Sequence, residues 1–575
     1  MLKDTVSKQP KRWLHAPDPP YDFTQALSDL GPVLAKILYN RGLTTPVLAR
    51  QFLSDDVVAY DPFLMKDMAK AVARIRNAIR RKEPIVVYGD FDADGVTSTA
   101  LLIQTLKALG GQIEPYIPDR IDEGYGLNTL ALQKLAAKGI KLVVTVDCGI
   151  RSVEEVKAAN ATGLDIIITD HHSVGDVIPP ALAVLNPKQV DCKYPEDMLA
   201  GVGIAYKLAT ALIIVARQQD RNAPNLSSED LLDLVALGTV ADLAPLDRIE
   251  NRSMVKLGLV ELARARRPGI YALMDISKVK PEKVSATSIG FALGPRINAA
   301  GRLENALIAY QLLMTSDLTE ATRLAQELQE INTRRQDYTA ESYRIAKDLA
   351  QQDGGIDNLI FAADVSFRPG IVGLVAGKLT EEYYRPSVVI QIGEEESHGS
   401  CRSTPEFHIT NALDECADLL VQHGGHAQAA GFTIRNENIP AFKERLQGLA
   451  AHELIHHDLR PSISIDAEAE MIDLTLMLAE NIRKLEPMGT DNPEPIFMTR
   501  RLRVMESRRV GNDGSHLKLR LSDGPLTMDA IAFRFGDWYS HLPPYIDVLY
   551  NLQINEWNGR ITPQMNVVDL RPSER

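Results

Sequence analysis

The chain has 575 residues, 45% of them hydrophobic and 24% charged, so it is long enough for three or four domains that each bury a core. Its four cysteines, Cys148, Cys192, Cys401 and Cys416, show no CxxC pairing, residues 1–20 contain no apolar core segment, and no apolar run approaches membrane-spanning length. These features argue against a disulfide-rich secreted protein and predict a reduced, cytoplasmic one without a membrane segment.

Three aspartates at alternate positions follow a short apolar run near residue 90. The run at residues 85–88 is β-branched and predicts a buried strand, whereas residues 97–109 predict a helix. Asp90, Asp92 and Asp94 lie between the two. Carboxylates this close repel one another unless a cation lies among them. The segment therefore predicts a divalent metal.

The same pattern of an apolar strand ending in acidic residues recurs twice. Residues 141–146 lead into Asp147, and residues 165–169 lead into an Asp-His-His sequence. Strands and helices alternating at this spacing predict right-handed βαβ units and a parallel sheet. The carboxyl ends of such strands line one crevice, the usual ligand site of an α/β fold. The side chains expected to converge there are Asp92, Asp94, Asp147, Asp170, His171 and His172.

A further acid, Asp242, follows the apolar segment at residues 231–241. Small residues around it would let the backbone approach the cleft. Carboxylates with a minority of imidazoles suit Mn²⁺ or Mg²⁺ better than a structural zinc site. Because there are more acids than one ion needs, we expect two ions, which at a separation of about 3.5–4 Å suit phosphoryl chemistry.

A long helix is predicted after residue 316. Asp317 and Glu320 form a capping box, apolar residues recur near a 3.6-residue period up to Leu349, and Gly354 and Gly355 end the helix. About 35 residues would span about 50 Å. We expect this helix to bridge two domains that face one another across a cleft.

Residues 358–457 predict a smaller α/β domain, with strands at 359–362 and 387–391. Glycines at 399 and at 424–425 would let backbone amides cradle an anion. Substrate contact is the favoured interpretation of this glycine-rich part, with simple loop packing as the alternative.

Residues 459–575 predict a short-stranded β domain, with hairpin turns at 511–514 and 558–559. Residues 500–509 carry five arginines against one glutamate. This stretch is either a solvated basic edge or a track for nucleic acid. The net charge of −13 conflicts with nucleic-acid binding only in part, because a metal would neutralise the site acids and because the distribution of charge matters more than its total. Four aromatic side chains are available for base stacking but are each more typical of a core, namely Phe533, Phe535, Trp538 and Trp557.

Four of these segments together resemble the motifs of the DHH phosphoesterase family. They are residues 90–95 (Asp-Phe-Asp-Ala-Asp-Gly), 147–149 (Asp-Cys-Gly), 170–172 (Asp-His-His) and 238–242 (Gly-Thr-Val-Ala-Asp). Residues 294–302, 399–403 and 424–431 resemble further motifs of the bacterial single-strand-specific 5′→3′ exonucleases within that family. The resemblance runs from about residue 30 to the end of the chain.

The resemblance implies an α/β fold with several domains. We expect a parallel-sheet DHH domain joined by the long helix to a smaller α/β DHHA1-type domain, followed by a C-terminal OB-fold β-barrel. The predicted boundaries are 1–60 for an N-terminal extension and helical segment, 61–315 for the catalytic domain, 316–355 for the connecting helix, 356–458 for the DHHA1 domain and 459–575 for the barrel.

The resemblance also implies a role for each matching residue. The metal ligands would be Asp92, Asp94, Asp147, Asp170, His171 and Asp242, and the flanking Asp90 and His172 would support the metals or help to activate water. The catalytic set would then be Asp90, Asp92, Asp94, Asp147, His171 and His172. Substrate would be bound by Arg120, Arg296, Asn298, Arg302, Ser400, Arg402, Ser403 and His426.

Two residues depart from the family pattern. Cys401 stands where the family often has glycine, which adds a side chain to a tight segment, and Arg368 stands near a position often occupied by histidine. Arginine at that place could still meet a phosphate group.

The implied activity is a 5′→3′ exonuclease, dependent on Mn²⁺ or Mg²⁺, that releases 5′-mononucleotides from single-stranded DNA in DNA repair and recombination. A monomer working beside a single-strand binding protein and a helicase would fit this role. The sequence leaves three alternatives open: a DHH phosphodiesterase of short oligonucleotides, a non-catalytic single-strand-binding scaffold, and a zinc-dependent hydrolase.

Overall fold

The computed structural model describes residues 10–54, 56–120, 123–124, 126–219, 226–352, 357–511, 513–557 and 559–574. These residues divide into two units. The N-terminal unit comprises residues 21–332 and 481–494, and the C-terminal unit comprises the described parts of residues 1–20, 333–480 and 495–575.

The N-terminal unit is built on a five-stranded sheet in which every neighbouring pair is parallel. This confirms the parallel sheet predicted from the alternation of strands and helices. In spatial order the strands are Gln112–Tyr116, Pro84–Gly89, Leu142–Val146, Asp165–Thr169 and Ala183–Leu185. The connecting helices include Ala93–Ala108, Thr129–Ala137 and Val153–Ala161.

Both faces of this sheet are buried, and the strand residues alternate between two apolar cores. Ile85 and Val87 belong to the core that contains helix Ala93–Ala108, whereas Val86 and Tyr88 belong to the core beneath helix Thr129–Ala137. Successive side chains of a strand point to opposite faces, so a strand covered on both sides is apolar throughout. The crevice therefore lies at the strand ends, where the acids are.

Helices Gly201–Gln219 and Leu232–Ala241 pack against Ala93–Ala108. Of the described helices, Gly201–Gln219 is long and apolar enough to cross a membrane. However, 72% of its apolar stretch is buried inside the protein, as is typical of a core helix. The remaining helices of the unit are Tyr21–Ala26, Pro32–Asn40, Pro46–Leu53, Met68–Arg81, Ile249–Arg264, Pro268–Ile276, Ala286–Ser288, Gly294–Leu303 and Leu307–Met314, and a π-turn occupies Ile289–Leu293.

The predicted long helix occupies Leu318–Gln352, 35 residues, and begins in the N-terminal unit and continues into the C-terminal one. Asp317 caps it, because its Oδ1 accepts hydrogen bonds from the N–H groups of Thr319 (2.7 Å) and Glu320 (3.2 Å). In a complete capping box the Glu320 side chain would accept from the Asp317 N–H, but here that N–H donates to Thr315 Oγ1 (3.2 Å). Gly354 and Gly355 lie outside the described residues.

The DHHA1-type part of the C-terminal unit contains a mixed five-stranded sheet. Strands Ile360–Asp364 and Ser387–Gln391 pair in parallel, and the other pairs are antiparallel. In spatial order the strands are Leu420–His426, Ala429–Arg435, Glu396–Arg402, Ser387–Gln391 and Ile360–Asp364. Helices Pro369–Tyr383, Ile409–Asp414 and Ile439–Leu454 belong to the same part.

The last part of the chain forms a closed β-barrel, as expected for an OB-fold. Strand Phe497–Val510 pairs with both His516–Ser522 and Tyr545–Trp557, which closes the sheet. The other strands are Ala467–Glu468, Thr527–Ala532 and Arg560–Pro572, helix Leu476–Arg483 lies before the barrel strands, and Arg12–His15 pairs in parallel with Ser462–Ile465. Of the predicted hairpin turns, Asn512 and Asn558 fall outside the described residues.

Candidate metal centre

The loop after strand Pro84–Gly89 holds its aspartates through helix termini. Asp92 is the N-cap of helix Ala93–Ala108, and its Oδ1 accepts a hydrogen bond from the Gly95 N–H (3.0 Å). The buried Asp94 carboxylate accepts from the N–H groups of Gly201 (2.7 Å) and Val202 (2.8 Å), which begin the next long helix. The positive end of that helix favours a carboxylate here.

Asp147 occupies a strained backbone position at the end of strand Leu142–Val146. Its φ is 62°, a left-handed conformation that few residues other than glycine and asparagine or aspartate adopt. A Cβ at Gly201 would lie 2.7 Å from the Asp147 Cβ, so only glycine lets the helix start this close to the acid. Strain of this kind persists where the surroundings impose it, commonly at functional sites.

The His171 imidazole brings together carboxylates from three parts of the chain. Its Nε2 lies 3.1 Å from Asp147 Oδ1, 3.8 Å from Asp242 Oδ2 and 4.0 Å from Asp94 Oδ2. Nε2 of His171 and Oδ1 of Asp147 are both buried and make no hydrogen bond to any described residue. Two potential ligand atoms left unpaired side by side are the expected state of a site built for a cation.

Three overlapping groups of side chains could hold metal ions. Within each group the ligand atoms all lie within 4.8 Å of one another. Asp90 belongs to one of them, and its buried Oδ1 likewise lacks a hydrogen-bond partner among the described residues. The groups are Asp94 with His171 and Asp242, Asp90 with Asp92 and Asp147, and Asp147 with His171 and His172. The donor set of carboxylates with imidazole fits Mn²⁺ or Mg²⁺.

Asp170 lies beside these groups and does not belong to any of them. Its Oδ1 accepts from the His172 N–H (3.0 Å) and contacts His172 Nδ1 (2.7 Å), while its Oδ2 accepts from the Ile150 N–H (2.8 Å). Both oxygens are therefore engaged by the protein. In this structure the predicted ligand orients the His172 ring, as a carboxylate behind a metal-site histidine commonly does.

Burial and mutual repulsion shift the ionisation of the acids. Burial, reinforced by the charge of Asp92, raises the pKa of Asp94 to about 7, and burial with the charge of Asp94 raises the pKa of Asp242 to about 9. The pKa values of Asp90 and Asp147 are raised well above the ordinary value for the same reasons. A divalent cation would reverse these shifts by stabilising the carboxylates.

The two histidines titrate in opposite directions. Burial, together with the nearby His172, lowers the pKa of His171 to about 3, which keeps its ring neutral and able to act as a ligand. Burial also acts to lower the pKa of His172, but the hydrogen bond and charge of Asp170 outweigh it and raise that pKa. His172 is thus the imidazole of the pair that can hold a proton.

Two residues next to His172 were not identified from the sequence. Asn186 Nδ2 donates to the His172 carbonyl (3.0 Å), and Asn186 Oδ1 accepts from the Lys188 N–H (2.9 Å). The charges of Asp242 and Asp170 act on Lys188, which puts a cation close to the centre. The only signal available was their position just after the strand Ala183–Leu185.

The predicted substrate residues of the N-terminal unit lie close to the aspartate loop or within the helix packed on it. Asn298 Oδ1 accepts from the Ala93 N–H (2.7 Å), so here it supports the loop. The Arg120 guanidinium lies 4.9 Å from the centre of the Phe91 ring. Arg296 donates to the Ala292 carbonyl (2.6 Å) and to Gln329 (2.8 Å), and Arg302 lies in the same helix, Gly294–Leu303.

In the C-terminal unit, the predicted residues Ser400 and Arg402 lie on strand Glu396–Arg402, whose successive side chains point to opposite faces. Ser400 and Arg402 are half-buried and hydrogen-bonded to each other (Arg402 Nη1 to Ser400 Oγ, 3.2 Å), whereas Cys401 between them is buried in the apolar core. Cys401 therefore fills the core, on the face of the strand opposite to Ser400 and Arg402.

The other predicted residues of this unit have different surroundings. Ser403 is buried and its hydroxyl donates to the Phe407 carbonyl (2.7 Å), which gives it a structural contact, whereas His426 is exposed at the end of strand Leu420–His426. Arg368 stacks over Tyr338, with its guanidinium carbon 3.9 Å from the ring centre.

The aromatic residues of the barrel differ in burial, whereas the arginines of its predicted basic stretch are exposed. Phe535 is buried, Trp538 is half-buried and Phe533 is exposed, while the Trp557 side chain lies outside the described part of the structure. The predicted basic stretch lies on strand Phe497–Val510, and all five of its arginines are exposed: Arg500, Arg501, Arg503, Arg508 and Arg509.

Three family models match the chain in the order DHH family N-terminal domain (residues 84–239), DHHA1 domain (357–452) and RecJ OB domain (465–569). These ranges fall within the boundaries expected for the second, fourth and fifth segments of the chain.

Solved structures and named proteins resemble the chain over nearly its whole length. A single-stranded-DNA-specific exonuclease RecJ from Bacillus subtilis (strain 168) is 38% identical over 98% of the chain and 71% of its own length. Crystal structures of RecJ from Thermus thermophilus match 98% of the chain, one in complex with Mn²⁺ (TM-score 0.84, 31% identity, 80% of that chain) and one with Mg²⁺ (TM-score 0.78, 30% identity, 79% of that chain). The shared domain order and this degree of identity show that the chain belongs to the RecJ family.

Proposed function

We propose that this protein is a metal-dependent exonuclease that hydrolyses phosphodiester bonds of single-stranded DNA from the 5′ end and releases 5′-mononucleotides. The observation that carries the proposal is the convergence of buried, unpaired ligand atoms of Asp90, Asp147 and His171 in a chain related to single-stranded-DNA-specific exonucleases. Membership of that family favours this activity over a short-oligonucleotide phosphodiesterase, a scaffold or a zinc hydrolase.

Two divalent ions, Mn²⁺ or Mg²⁺, are the cofactors that the donor set fits. Asp94, His171 and Asp242 would hold one ion, and Asp90, Asp92 and Asp147 the other. Such ions supply Lewis acidity, which makes water a stronger nucleophile and offsets charge on the phosphoryl group. Asp170 would not hold an ion itself and would orient the His172 ring through its carboxylate.

His172 and the arginines supply the remaining functions. Because Asp170 raises its pKa, His172 would hold a proton close to the acidic cluster and could pass it to the leaving oxygen. Arg120, near the aspartate loop, carries the charge and hydrogen-bond donors that a terminal phosphate requires. In the C-terminal unit, Arg402 with Ser400 carries groups of the same kind. The exposed arginines of the barrel suit the backbone of a single strand.

The cellular setting is also part of the proposal. An enzyme restricted to single strands depends on proteins that expose them, so a helicase and a single-strand binding protein are the expected partners. We place the activity in the cytoplasm, in DNA repair and recombination, and assign it to a monomer.

The decisive experiment is product analysis on oligonucleotides labelled at either end, single-stranded or duplex, with Mn²⁺, with Mg²⁺ and with a chelator. We expect mononucleotides from the 5′ end of the single strand, and none with the chelator. Degradation of duplex as readily as of single strand would contradict the proposal. Preference for a dinucleotide over a long strand would favour the short-substrate alternative.

The ligand assignment needs its own variant. Asp147→Ala removes a carboxylate shared by two of the three ligand groups, and we expect it to abolish nucleotide release. Leu130→Ala, at an exposed position in the same unit, is the control that should stay active. Full activity of Asp147→Ala would show that the phosphodiester bond is cleaved elsewhere.

A further inference from the structure

Leu243, directly after Asp242, adopts a conformation that normally selects glycine. Its φ is 60°, its N–H donates to the Val240 carbonyl (3.2 Å), and the Ala244 N–H donates to the Thr239 carbonyl (3.1 Å). This pair of bonds is the Schellman ending of helix Leu232–Ala241, and its left-handed residue is usually glycine because a Cβ is disfavoured there. Helix termination therefore gives no reason for a leucine.

Burial gives no reason either, since 68% of Leu243 is exposed. The residue is both strained and solvated, and each condition is unfavourable for a large aliphatic side chain in the free protein. Strained residues next to a functional centre commonly serve that centre.

Phe291 is a second exposed apolar side chain, with 84% of its surface accessible. It lies in the π-turn Ile289–Leu293, which the following Pro295 explains. Proline has no N–H, and its ring would clash with the carbonyl of Phe291 four residues earlier. The chain responds with a wider turn, in which the Gly294 N–H donates to the Ile289 carbonyl.

The segments that carry the two residues pack against each other next to Asp242. A Cβ at Gly294 would be 3.3 Å from the Ala241 Cβ, so the end of the π-turn packs against the residue that precedes Asp242. Phe291 is three residues, about one helical turn, from that contact. The helix that follows the π-turn is tied to the aspartate loop by the bond from the Ala93 N–H to Asn298.

We infer that Leu243 and Phe291 form an apolar ledge that packs against the nucleobases beside the scissile phosphodiester bond. This inference rests on the proposed function and adds to it the contact made to the bases, whereas the metal centre and the arginines contact phosphate. An aromatic face stacks on any base, so the ledge holds a strand without reading its sequence. The bases of a duplex are already stacked and paired, which makes the ledge a source of single-strand preference.

The ledge adjoins the metal centre through Leu243, which directly follows Asp242, so we expect its occupant to be the single strand that is cleaved there. A protein seated on the ledge would lie against Asp242, where the strand must bind for cleavage. A single strand entering the centre brings its bases to the same place as its phosphate.

The test uses the full-length protein, Mn²⁺, and two 5′-labelled single strands that differ only in stable abasic residues at the first three nucleotides. We expect Phe291→Ala to lower kcat/KM on the normal strand by roughly tenfold, mainly through KM. On the abasic strand this variant should match the wild type, because there is no base to lose. Phe291→Trp should restore cleavage of the normal strand.

Leu243→Gly distinguishes loss of the base contact from loss of protein stability. Glycine relieves the backbone strain, so the unfolding temperature should stay equal or rise, while kcat/KM on the normal strand falls. Tyr21→Ala (77% exposed) and Leu130→Ala (66% exposed) are matched controls for loss of a surface side chain, and both should keep wild-type kcat/KM.

Two results would overturn the ledge while leaving the exonuclease proposal intact. The first is wild-type kcat/KM for both Phe291→Ala and Leu243→Gly on the normal strand. The second is an equal loss on normal and abasic strands, which would mean that no base is contacted. A wild-type protein that digests neither strand in Mn²⁺ would instead overturn the proposed function, and the ledge with it.

Discussion

The acids of the metal centre are held in positions that disfavour their own charge. Burial and the charge of Asp92 raise the pKa of Asp94 although two backbone N–H groups donate to its carboxylate, and the buried Asp147 has an oxygen without a hydrogen bond to a described residue. Folding thus brings together carboxylates that repel one another in the absence of a cation. A bound cation is therefore expected to stabilise the folded protein as well as to support catalysis.

The stability gained from Mn²⁺ should increase with pH. Folding raises the pKa of Asp94 to about 7 and that of Asp242 to about 9. A raised carboxyl pKa favours the folded state fully below pH about 4, and this contribution is lost as pH rises towards the folded pKa. Mn²⁺ competes with those protons, so its effect on the unfolding temperature should be larger at pH 8 than at pH 6.

Thermal unfolding at both pH values, with and without Mn²⁺, measures this effect. Asp94→Asn and Asp242→Asn should each reduce the dependence of the Mn²⁺ effect on pH, because an amide carries no proton for the metal to displace. An Mn²⁺ effect of the same size at pH 6 and pH 8 in the wild type would contradict the expectation.

Asp170→Asn should shift the pH profile of cleavage. The Asp170 charge and its 2.7 Å contact to Nδ1 raise the pKa of His172, so removal of the charge lowers that pKa. If protonated His172 assists the leaving group, the alkaline limb of kcat/KM moves to lower pH and activity falls by about 10- to 100-fold. The readout is kcat/KM from pH 6 to 9, and an unmoved alkaline limb would separate Asp170 from the proton on His172.

At the scale of single elements, strand alternation explains how one motif serves both the core and the surface. Strand Glu396–Arg402 places Cys401 in the apolar core while its neighbours Ser400 and Arg402 lie on the other face. Burial raises the pKa of the Cys401 thiol to about 12, so the side chain behaves as a small apolar group.

Cys401→Gly should therefore destabilise this protein. The change removes a buried side chain and adds backbone freedom within a strand, at a cost of about 2 kcal/mol in the free energy of unfolding. Urea unfolding measures the loss, and Cys192→Gly at a half-buried position should lose less. Equal stability of Cys401→Gly and wild type would mean that the core relaxes around the missing side chain.

At the scale of the whole molecule, the distribution of charge matters more than the net charge of −13. Many acids are gathered at the metal centre, whereas exposed arginines follow one strand of the barrel. The pairing of Arg500 with Glu468 (2.6 Å) shows that part of this strand is internally neutralised. The two interpretations of the basic strand, a solvated edge and a nucleic-acid track, thus predict different behaviour for different arginines.

Replacement of Arg503 and Arg508 by glutamine should weaken binding of single-stranded DNA if the strand is a track. Each lost phosphate contact should also reduce the slope of log affinity against log salt by about 0.7. Fluorescence anisotropy in the presence of a chelator measures both quantities without cleavage. Arg500→Gln, already paired with Glu468, should change them less, and an unchanged affinity and slope in the double variant would favour a solvated edge.

The sequence by itself determined the parallel sheet, the long helix and most of the acidic cluster. These features depend on local patterns, namely short continuous apolar runs for the buried strands, apolar residues with a period near 3.6 for the long helix, and acids directly after strands such as Leu142–Val146. A parallel sheet necessarily gathers its carboxyl ends at one edge, so acids about eighty residues apart along the chain could be assigned to one site.

Only the tertiary structure decided what each polar side chain does there. The sequence predicts Asp170 as a metal ligand and Asp90 as a flanking residue, yet Asp170 is engaged by Ile150 and His172 while an oxygen of Asp90 makes no hydrogen bond to a described residue. Asn298 likewise holds the Ala93 N–H, about two hundred residues away along the chain. Hydrogen-bond partners so distant in sequence leave no local pattern, because they are brought together by the packing of whole helices and strands.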